Sequence, residues 1–413
     1  MKVRSFFSIF SVFIFLSLPL FSELSRPAEN LSSEKKFVKG SISEKITILQ
    51  SLKDDEIVPV GKKGLDFAIE NASVLGDDIE LARLAAASVR VFPNSNEEIK
   101  SKKIDSSKLK DIAEKFMTIF RLYKNSDVRS AVMERLEFYS AGENTMLVAF
   151  INDYLTYAYK TAEKSSTELE SLISTIGKIG NEESLTVVYN IWASKIWPEY
   201  KAAADEALVS LSKDSFSDVI KIFSISKIGD FRDFFLLFKN SSKISPNFLC
   251  DVAENALLIA INNAEKLKEN SDSAKKDFAS FQVEAGEVLA ENKWSHSANV
   301  MNENILLAKK AYEKGEMTQS DFVKLIQLSP KVPSNALAKT LTEFLSECNG
   351  RVEKLSADNK SEMPARSVVL ALIIALGELG DKTAFDTLLY TSYLSYPVEV
   401  TDEAKKSLAK LNW

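Results

Sequence analysis

Apolar residues recur along most of this chain at the three- and four-residue spacing of amphipathic helices. The clearest buried stripe falls at i, i+3, i+4 and i+8 and consists of Val128, Ala131, Val132 and Leu136. Asp127 stands where it can cap the first turn of this helix, and Arg129 is predicted to point outward. The pattern predicts an all-α fold.

The same periodicity predicts helices in pairs. The best-defined helices after the first span residues 145–159, 168–179, 182–194, 199–211 and 216–225. First helices begin near residues 127, 166 and 199, about 39 and 33 residues apart, which is typical of helical hairpin repeats. A period near 40 predicts roughly 16 to 20 helices in the whole chain. One long helix is predicted from Pro246 to about residue 268.

Two glycine-containing segments, 172–181 and 372–381, share the sequence pattern of a helix end followed by a helix start. In each, an apolar helical pattern stops at a glycine that can adopt the left-handed conformation, and Asn or Asp follows at once and can cap the next helix. The segments that follow also match, since Asp205-Glu206-Ala207 corresponds to Asp402-Glu403-Ala404. A helix end followed at once by a helix start, repeated along the chain, favours successive helix hairpins.

Three segments, 127–136, 204–214 and 371–381, resemble HEAT-type helical repeats. That family typically opens a helix with Asp and then V-R-x-x-A, as at 127, and closes one with A-L-G-x-L-G-D, as at 375. The resemblance implies an α-solenoid, a right-handed superhelix of stacked antiparallel helix hairpins that serves as a binding scaffold, usually without catalysis or cofactors.

The resemblance divides the chain. Residues 41–413 form the expected repeat domain, regular at 120–225 and 364–413 and irregular at 240–360. The irregular part leaves open an insertion, degenerate units or another helical-pair family such as tetratricopeptide repeats.

The N-terminus has the pattern of a secretory signal peptide. Lys2 and Arg4 precede an apolar run of about 16 residues, shorter than the roughly 20 of a spanning helix. We expect a signal peptide at residues 1–22, a flexible lead-in at 23–40, and export to the periplasm or cell envelope of a bacterium. No stable membrane insertion is expected unless this segment stays uncleaved as an anchor.

Charge argues against nucleic acid as a partner. Acidic residues number 58 and basic residues 52, and the lysine-rich stretches 100–110 and 266–276 are interleaved with Asp or Glu. Catalytic signatures are equally weak, because the single histidine, His296, has no second histidine or nucleophile motif beside it. Cys250 and Cys348 fall at helical positions, where they are free or, in an exported protein, paired.

Aromatic residues form the candidate protein-binding site. The candidates are Tyr154, Tyr157, Trp192, Trp197 and Tyr200, since Tyr and Trp are favoured at interfaces. Burial between stacked helix pairs explains these positions as well. The leading hypothesis is an exported, non-enzymatic scaffold that binds another protein. The alternative is a carbohydrate-active enzyme on an (α/α) toroid, which needs two carboxylates across a cleft.

Overall fold

The computed structural model describes residues 32–75, 78–139, 144–268, 271–354 and 363–412. Within these ranges all regular secondary structure is helical, with 22 α-helices and several short 3-10 turns. The prediction of an all-α fold is therefore confirmed for this part of the chain. The predicted signal peptide lies outside the described residues.

The chain divides into two compact units, Met1–Tyr139 and Ser140–Trp413. The helices of the first unit are α1 (Ser33–Lys39), α2 (Ile42–Gln50), α3 (Ile57–Leu75), α4 (Ile79–Arg90), α5 (Asn96–Ser101), α6 (Ser106–Leu122) and α7 (Ser126–Tyr139). Those of the second are α8 (Asn144–Lys160), α9 (Thr167–Ile179), α10 (Glu182–Ser194), α11 (Lys201–Ser212), α12 (Phe216–Ile225), α13 (Ile228–Lys239), α14 (Pro246–Asn262), α15 (Ala264–Lys268), α16 (Asp272–Glu291), α17 (Ala298–Glu313), α18 (Gln319–Leu328), α19 (Asn335–Lys354), α20 (Arg366–Leu379), α21 (Phe385–Tyr393) and α22 (Val398–Leu408).

Several element bounds differ from the sequence prediction. The long helix predicted from Pro246 breaks at Asn263, whose side-chain amide donates to the carbonyl of Ile259 at 2.9 Å, so that α14 and α15 are separate. Helix α1 lies inside the segment predicted as a flexible lead-in, because Phe37 is buried there at 2% exposure. Helix α1 is thus part of the packed structure.

The start of α7 corrects two predictions. Asn125, and not Asp127, caps the helix, since its side-chain oxygen accepts from the backbone N–H groups of Asp127 and Val128 at 3.0 and 3.2 Å. Arg129 does not point outward. It is 4% exposed, and its Nε donates to the carbonyl of Tyr123 at 3.0 Å. The Tyr123 carbonyl thus accepts from one guanidinium donor, and the guanidinium carbon lies 4.9 Å from the centroid of the Phe120 ring, a favourable cation–π distance.

Helices in the first unit pack in two series. Helix α1 packs on α3 and α3 on α6, while α2 packs on α4 and α4 on α7. The two series are joined where α3 contacts α4 and where α6 contacts α7. These six helices therefore bury their apolar stripes against near neighbours in the chain.

The second unit has the same order of contacts. We define series A as α8, α10, α12, α14, α17, α19 and α21, and series B as α9, α11, α13, α16, α18, α20 and α22. Consecutive members of each series pack together, and helices of series A also pack on those of series B, as α10 does on α11 and α21 on α22. These contacts continue through the described residues between 240 and 354, where the sequence pattern is irregular.

Two glycines permit close approach between members of series B. A Cβ atom added to Gly177 of α9 would lie 2.7 Å from Cα of Ala207 in α11. One added to Gly377 of α20 would lie 2.7 Å from Cβ of Ser407 in α22. The matching sequence segments therefore make equivalent helix crossings. Of the two helix-ending glycines that follow, only Gly380 is left-handed, at φ 66°, whereas Gly180 is extended, at φ −70°.

A phenylalanine cluster forms part of the core of the second unit. Four phenylalanines of α13 stand at i, i+3, i+4 and i+7, a spacing from which the sequence predicts a buried aromatic stripe. All four are fully buried: Phe231, Phe234, Phe235 and Phe238. Phe223 of α12 contacts this stripe, with its ring centroid 4.7 Å from that of Phe231 and 5.1 Å from that of Phe234. The prediction of an aromatic core here is confirmed, and the cluster ties series A to series B.

Ion pairs link three consecutive members of series B. Lys239 Nζ of α13 lies 2.6 Å from Glu287 Oε2 of α16, and Lys324 of α18 pairs with the same carboxylate. Glu287 retains 18% side-chain exposure. Burial by itself would raise the pKa of Glu287. Hydrogen bonds from Lys239 and Lys324, together with their charges, outweigh burial, so the pKa of Glu287 lies below its ordinary value.

We expect Glu287→Gln to lower the free energy of unfolding by about 1–2 kcal/mol at pH 7. A carboxyl whose pKa is lowered by folding stabilises above its unfolded pKa, and the contribution is lost as the pH falls through the folded pKa. The difference in free energy of unfolding between wild type and variant should therefore shrink as the pH falls below 4.5, the ordinary pKa of a glutamate. Urea unfolding at several pH values measures it. A gap that is independent of pH would contradict the assignment, and Glu206→Gln, at a more exposed pair, is the control expected to change least.

Candidate protein-binding groove

Three of the five aromatic candidates are buried and hold two loops together. Tyr154 Oη donates to the Glu163 carboxylate at 3.1 Å, and Trp197 Nε1 donates to the Glu163 carbonyl at 2.9 Å. Tyr200 Oη donates to the carbonyl of Ser166 at 2.7 Å. The bonds of Trp197 and Tyr200 join the α8–α9 loop to the α10–α11 loop, whereas the bond of Tyr154 joins α8 to the α8–α9 loop, so burial explains the three residues.

The other two candidates are accessible. Tyr157 on α8 is 56% exposed, and its ring centroid lies 6.4 Å from that of Tyr154. Trp192 is half-buried near the end of α10. A role for any of the five in protein binding stays a prediction, and the structure places Trp192 in a groove.

Trp192 reaches from series A between two helices of series B. Its indole Nε1 donates to Asp205 Oδ1 of α11 at 2.7 Å. On the other side its ring centroid is 6.2 Å from that of Phe234 in α13 and 5.8 Å from that of Tyr189 in its own helix. These contacts fix the orientation of the indole.

A groove of about 680 Å³ lies between α11 and α13 above this indole. Its apolar lining consists of Trp192, Ala202, Val209, Leu236 and Leu237. Its charged lining consists of Lys201, Asp205, Glu206, Asp233 and Lys243. An apolar floor with a charged rim is the general form of a protein-binding hot spot.

A cation already occupies part of the groove. Lys201 Nζ lies 5.7 Å from the centroid of the Trp192 ring and 2.8 Å from Asp205 Oδ2. Asp205 thus receives both the indole N–H and the lysine ammonium. An aromatic face and a carboxylate together form a favourable site for a positive charge.

The rest of the rim is acidic on balance. Lys243 Nζ lies 2.6 Å from Glu206 Oε1, and this hydrogen bond, with the charge of Lys243, lowers the pKa of Glu206. Asp233 is exposed on α13 and has no hydrogen-bond or ion-pair partner within the described part of the chain. The groove therefore presents one carboxylate that no lysine neutralises.

Sequence reasoning found Trp192 but not the groove. The i, i+4 spacing of Lys201 and Asp205 was visible, and Asp205 belongs to the Asp-Glu-Ala segment that recurs at residue 402. No sequence pattern marked Leu236 and Leu237 as groove residues, because their position opposite α11 depends on the distance between α11 and α13. No local pattern encodes that separation.

The two cysteines and His296 are not among the residues that line the groove. Cys250 and Cys348 are both free, and burial raises the pKa of each thiol to about 11. His296 is exposed in the turn before α17, with its ring centroid 5.4 Å from that of Trp294. Among the described residues, no group of three or more His, Cys, Asp or Glu side chains is placed to hold a metal ion.

Comparison of the chain with models of protein families, with curated proteins and with solved structures found no match. Of the helices in the described ranges, none combines the length and the apolar character that crossing a bilayer requires.

Proposed function

We propose that this protein is an exported, non-enzymatic scaffold of the HEAT-like α-solenoid type, and that it binds another protein in the groove between α11 and α13. The observation that carries the proposal is the half-exposed Trp192 indole, fixed by Asp205 at the floor of that groove. An anchored aromatic in a concave, rimmed surface is where binding energy concentrates in protein interfaces.

The packing order supports the solenoid part of the proposal. In each unit, consecutive members of a series contact one another, as expected when hairpins stack in line. The HEAT-like segments fall on α7, α11 and α20. Helix α11 packs against Gly177 of α9, and α20 supplies Gly377 at its contact with α22. Stacking in line leaves one long surface whose side chains vary without cost to the core.

The state of the groove carboxylates supports binding over catalysis. A glycoside hydrolase needs one carboxyl held protonated to donate to the leaving group. Glu206 has a lowered pKa because of Lys243, and Asp205 is engaged by Lys201 and the indole N–H. Lys243 favours the charged form of Glu206, which suits recognition of a cationic partner.

Export is the second component of the proposal and rests on the sequence alone. The basic start and apolar run of residues 1–22 carry it. The N-terminal residue of the protein purified from its own cells tests it, and Glu23 is expected. Retention of the apolar run would instead make the protein a membrane-tethered scaffold.

Site-specific photo-cross-linking in the native cells tests the binding component. A benzophenone amino acid at Leu237, in the groove wall, is expected to give a discrete protein adduct. The same group at Lys213, exposed and outside the groove, is the matched control and is expected to give none. Equal labelling at both positions, or hydrolysis of oligosaccharides that Asp233→Asn abolishes, would overturn the proposal.

A further inference from the structure

We propose that the groove between α11 and α13 recognises an arginine or lysine side chain of the partner protein, and that Lys201 occupies that cation's position in the free protein. This inference rests on the proposed function and specifies its chemistry. It commits to a basic segment of a partner as the occupant.

The position of Lys201 is the first support. Its ammonium contacts both oxygens of Asp205, at 3.0 and 2.8 Å, and lies over the Trp192 ring. The side chain nevertheless remains 63% exposed. It is therefore a weakly held occupant, since exposed i, i+4 ion pairs contribute little.

The fixed orientation of the acceptor groups is the second support. Asp205 is 29% exposed and is held by the indole N–H of Trp192, so neither group needs to reorganise when the cation changes. Trp192 in turn packs against Phe234, which is fully buried. A preorganised aromatic and carboxylate pair binds a cation at little entropic cost.

Charge complementarity is the third support. Counting the rim residues, three carboxylates face two lysines, and the unneutralised carboxylate is Asp233 on the opposite wall from Asp205. An arginine entering between the walls reaches Asp205 after displacing Lys201 and has Asp233 as a second acidic neighbour. The apolar residues Leu236 and Leu237 then contact the aliphatic stem of the incoming side chain.

Calorimetric titration of the full chain with a blocked Leu-Arg-Leu tripeptide tests the inference. The matched probe replaces arginine by citrulline, which keeps the shape and removes the charge. We expect the arginine peptide to bind about 5–30-fold more tightly than the citrulline peptide. Equal affinities, or no binding of the arginine peptide, would overturn the cation site, whereas the cross-linking result at Leu237 would still stand for the proposed function.

Three variants separate the roles of the groove residues. Lys201→Met removes the competing cation and is expected to tighten binding of the arginine peptide about twofold to fivefold. Lys213→Met makes the same change in net charge outside the groove and should leave the affinity unchanged. Asp205→Asn keeps an oxygen acceptor for the indole and should weaken binding about fivefold or more. Weaker binding by Lys201→Met would overturn its role as the displaced group.

Sedimentation distinguishes a partner protein from a second copy of this chain. We expect the wild-type chain and the Asp205→Asn variant to sediment alike, with no self-association that the substitution removes. A dimer that this substitution dissociates would overturn the assignment to a partner and place a basic residue of a second copy in the groove.

Discussion

Replacing Phe234 by alanine is expected to lower the free energy of unfolding of the second unit by about 3–5 kcal/mol. The ring is fully buried, and its centroid lies 4.8 Å from that of Phe238 and 5.2 Å from that of Tyr189. Because these neighbours come from α13 itself and from α10, they cannot all close the resulting cavity. Denaturant unfolding followed by circular dichroism measures the loss.

Phe216→Ala is the matched control for this prediction. Phe216 begins α12, is 36% exposed, and makes an edge contact with Phe248 at 5.8 Å between centroids. Its removal is expected to cost about 1 kcal/mol, since little cavity forms at a half-exposed site. Hydrogen exchange should show the larger effect of Phe234→Ala concentrated in α10, α12 and α13. Equal losses for the two variants would contradict the cluster's role in the core.

The second large effect is expected at Gly177. Alanine favours a helix over glycine by about 1 kcal/mol, so Gly177→Ala would stabilise an unhindered site. Here the added Cβ would lie 2.7 Å from both Cα and Cβ of Ala207, which forces α9 and α11 apart. We expect a net loss of about 1–3 kcal/mol, because overpacking outweighs helix propensity.

Gly350→Ala tests the same substitution without the steric contact. Gly350 lies within α19, and a Cβ added there meets no atom within 4 Å. This variant is expected to gain about 0.5–1 kcal/mol from helix propensity alone. If thermal or denaturant unfolding shows a loss of stability for Gly177→Ala and a gain for Gly350→Ala, the close crossing of α9 and α11 is supported. A gain at Gly177 would show that the two helices separate freely.

The groove over Trp192 depends on the spacing of α11 and α13. Gly177 permits close packing between α9 and α11, whereas α11 and α13 leave room for a groove over Trp192. The proposed binding site lies where α11 and α13 leave Trp192 of α10 accessible between them. The arginine and citrulline probes ask whether that opening is chemically selective.

The sequence by itself determined the helices and much of the core. Apolar residues at helical spacing place the buried stripe of α7 and the phenylalanine stripe of α13, because burial of one helix face needs no information from distant residues. The matched glycine segments also correspond in the structure, because Gly177 and Gly377 each lie at a close contact with a second helix. Packing against neighbours in the chain makes these features local.

Tertiary structure decided which polar and aromatic side chains are accessible. Arg129 has the pattern of a surface residue but is buried, since the carbonyl of Tyr123 satisfies its Nε–H group. Trp197 and Trp192 are five residues apart and equally suited to an interface. Trp197 bonds to the carbonyl of Glu163, whereas Trp192 lies under the opening between α11 and α13. Exposure depends on the separation of helices, and helical periodicity does not specify that distance.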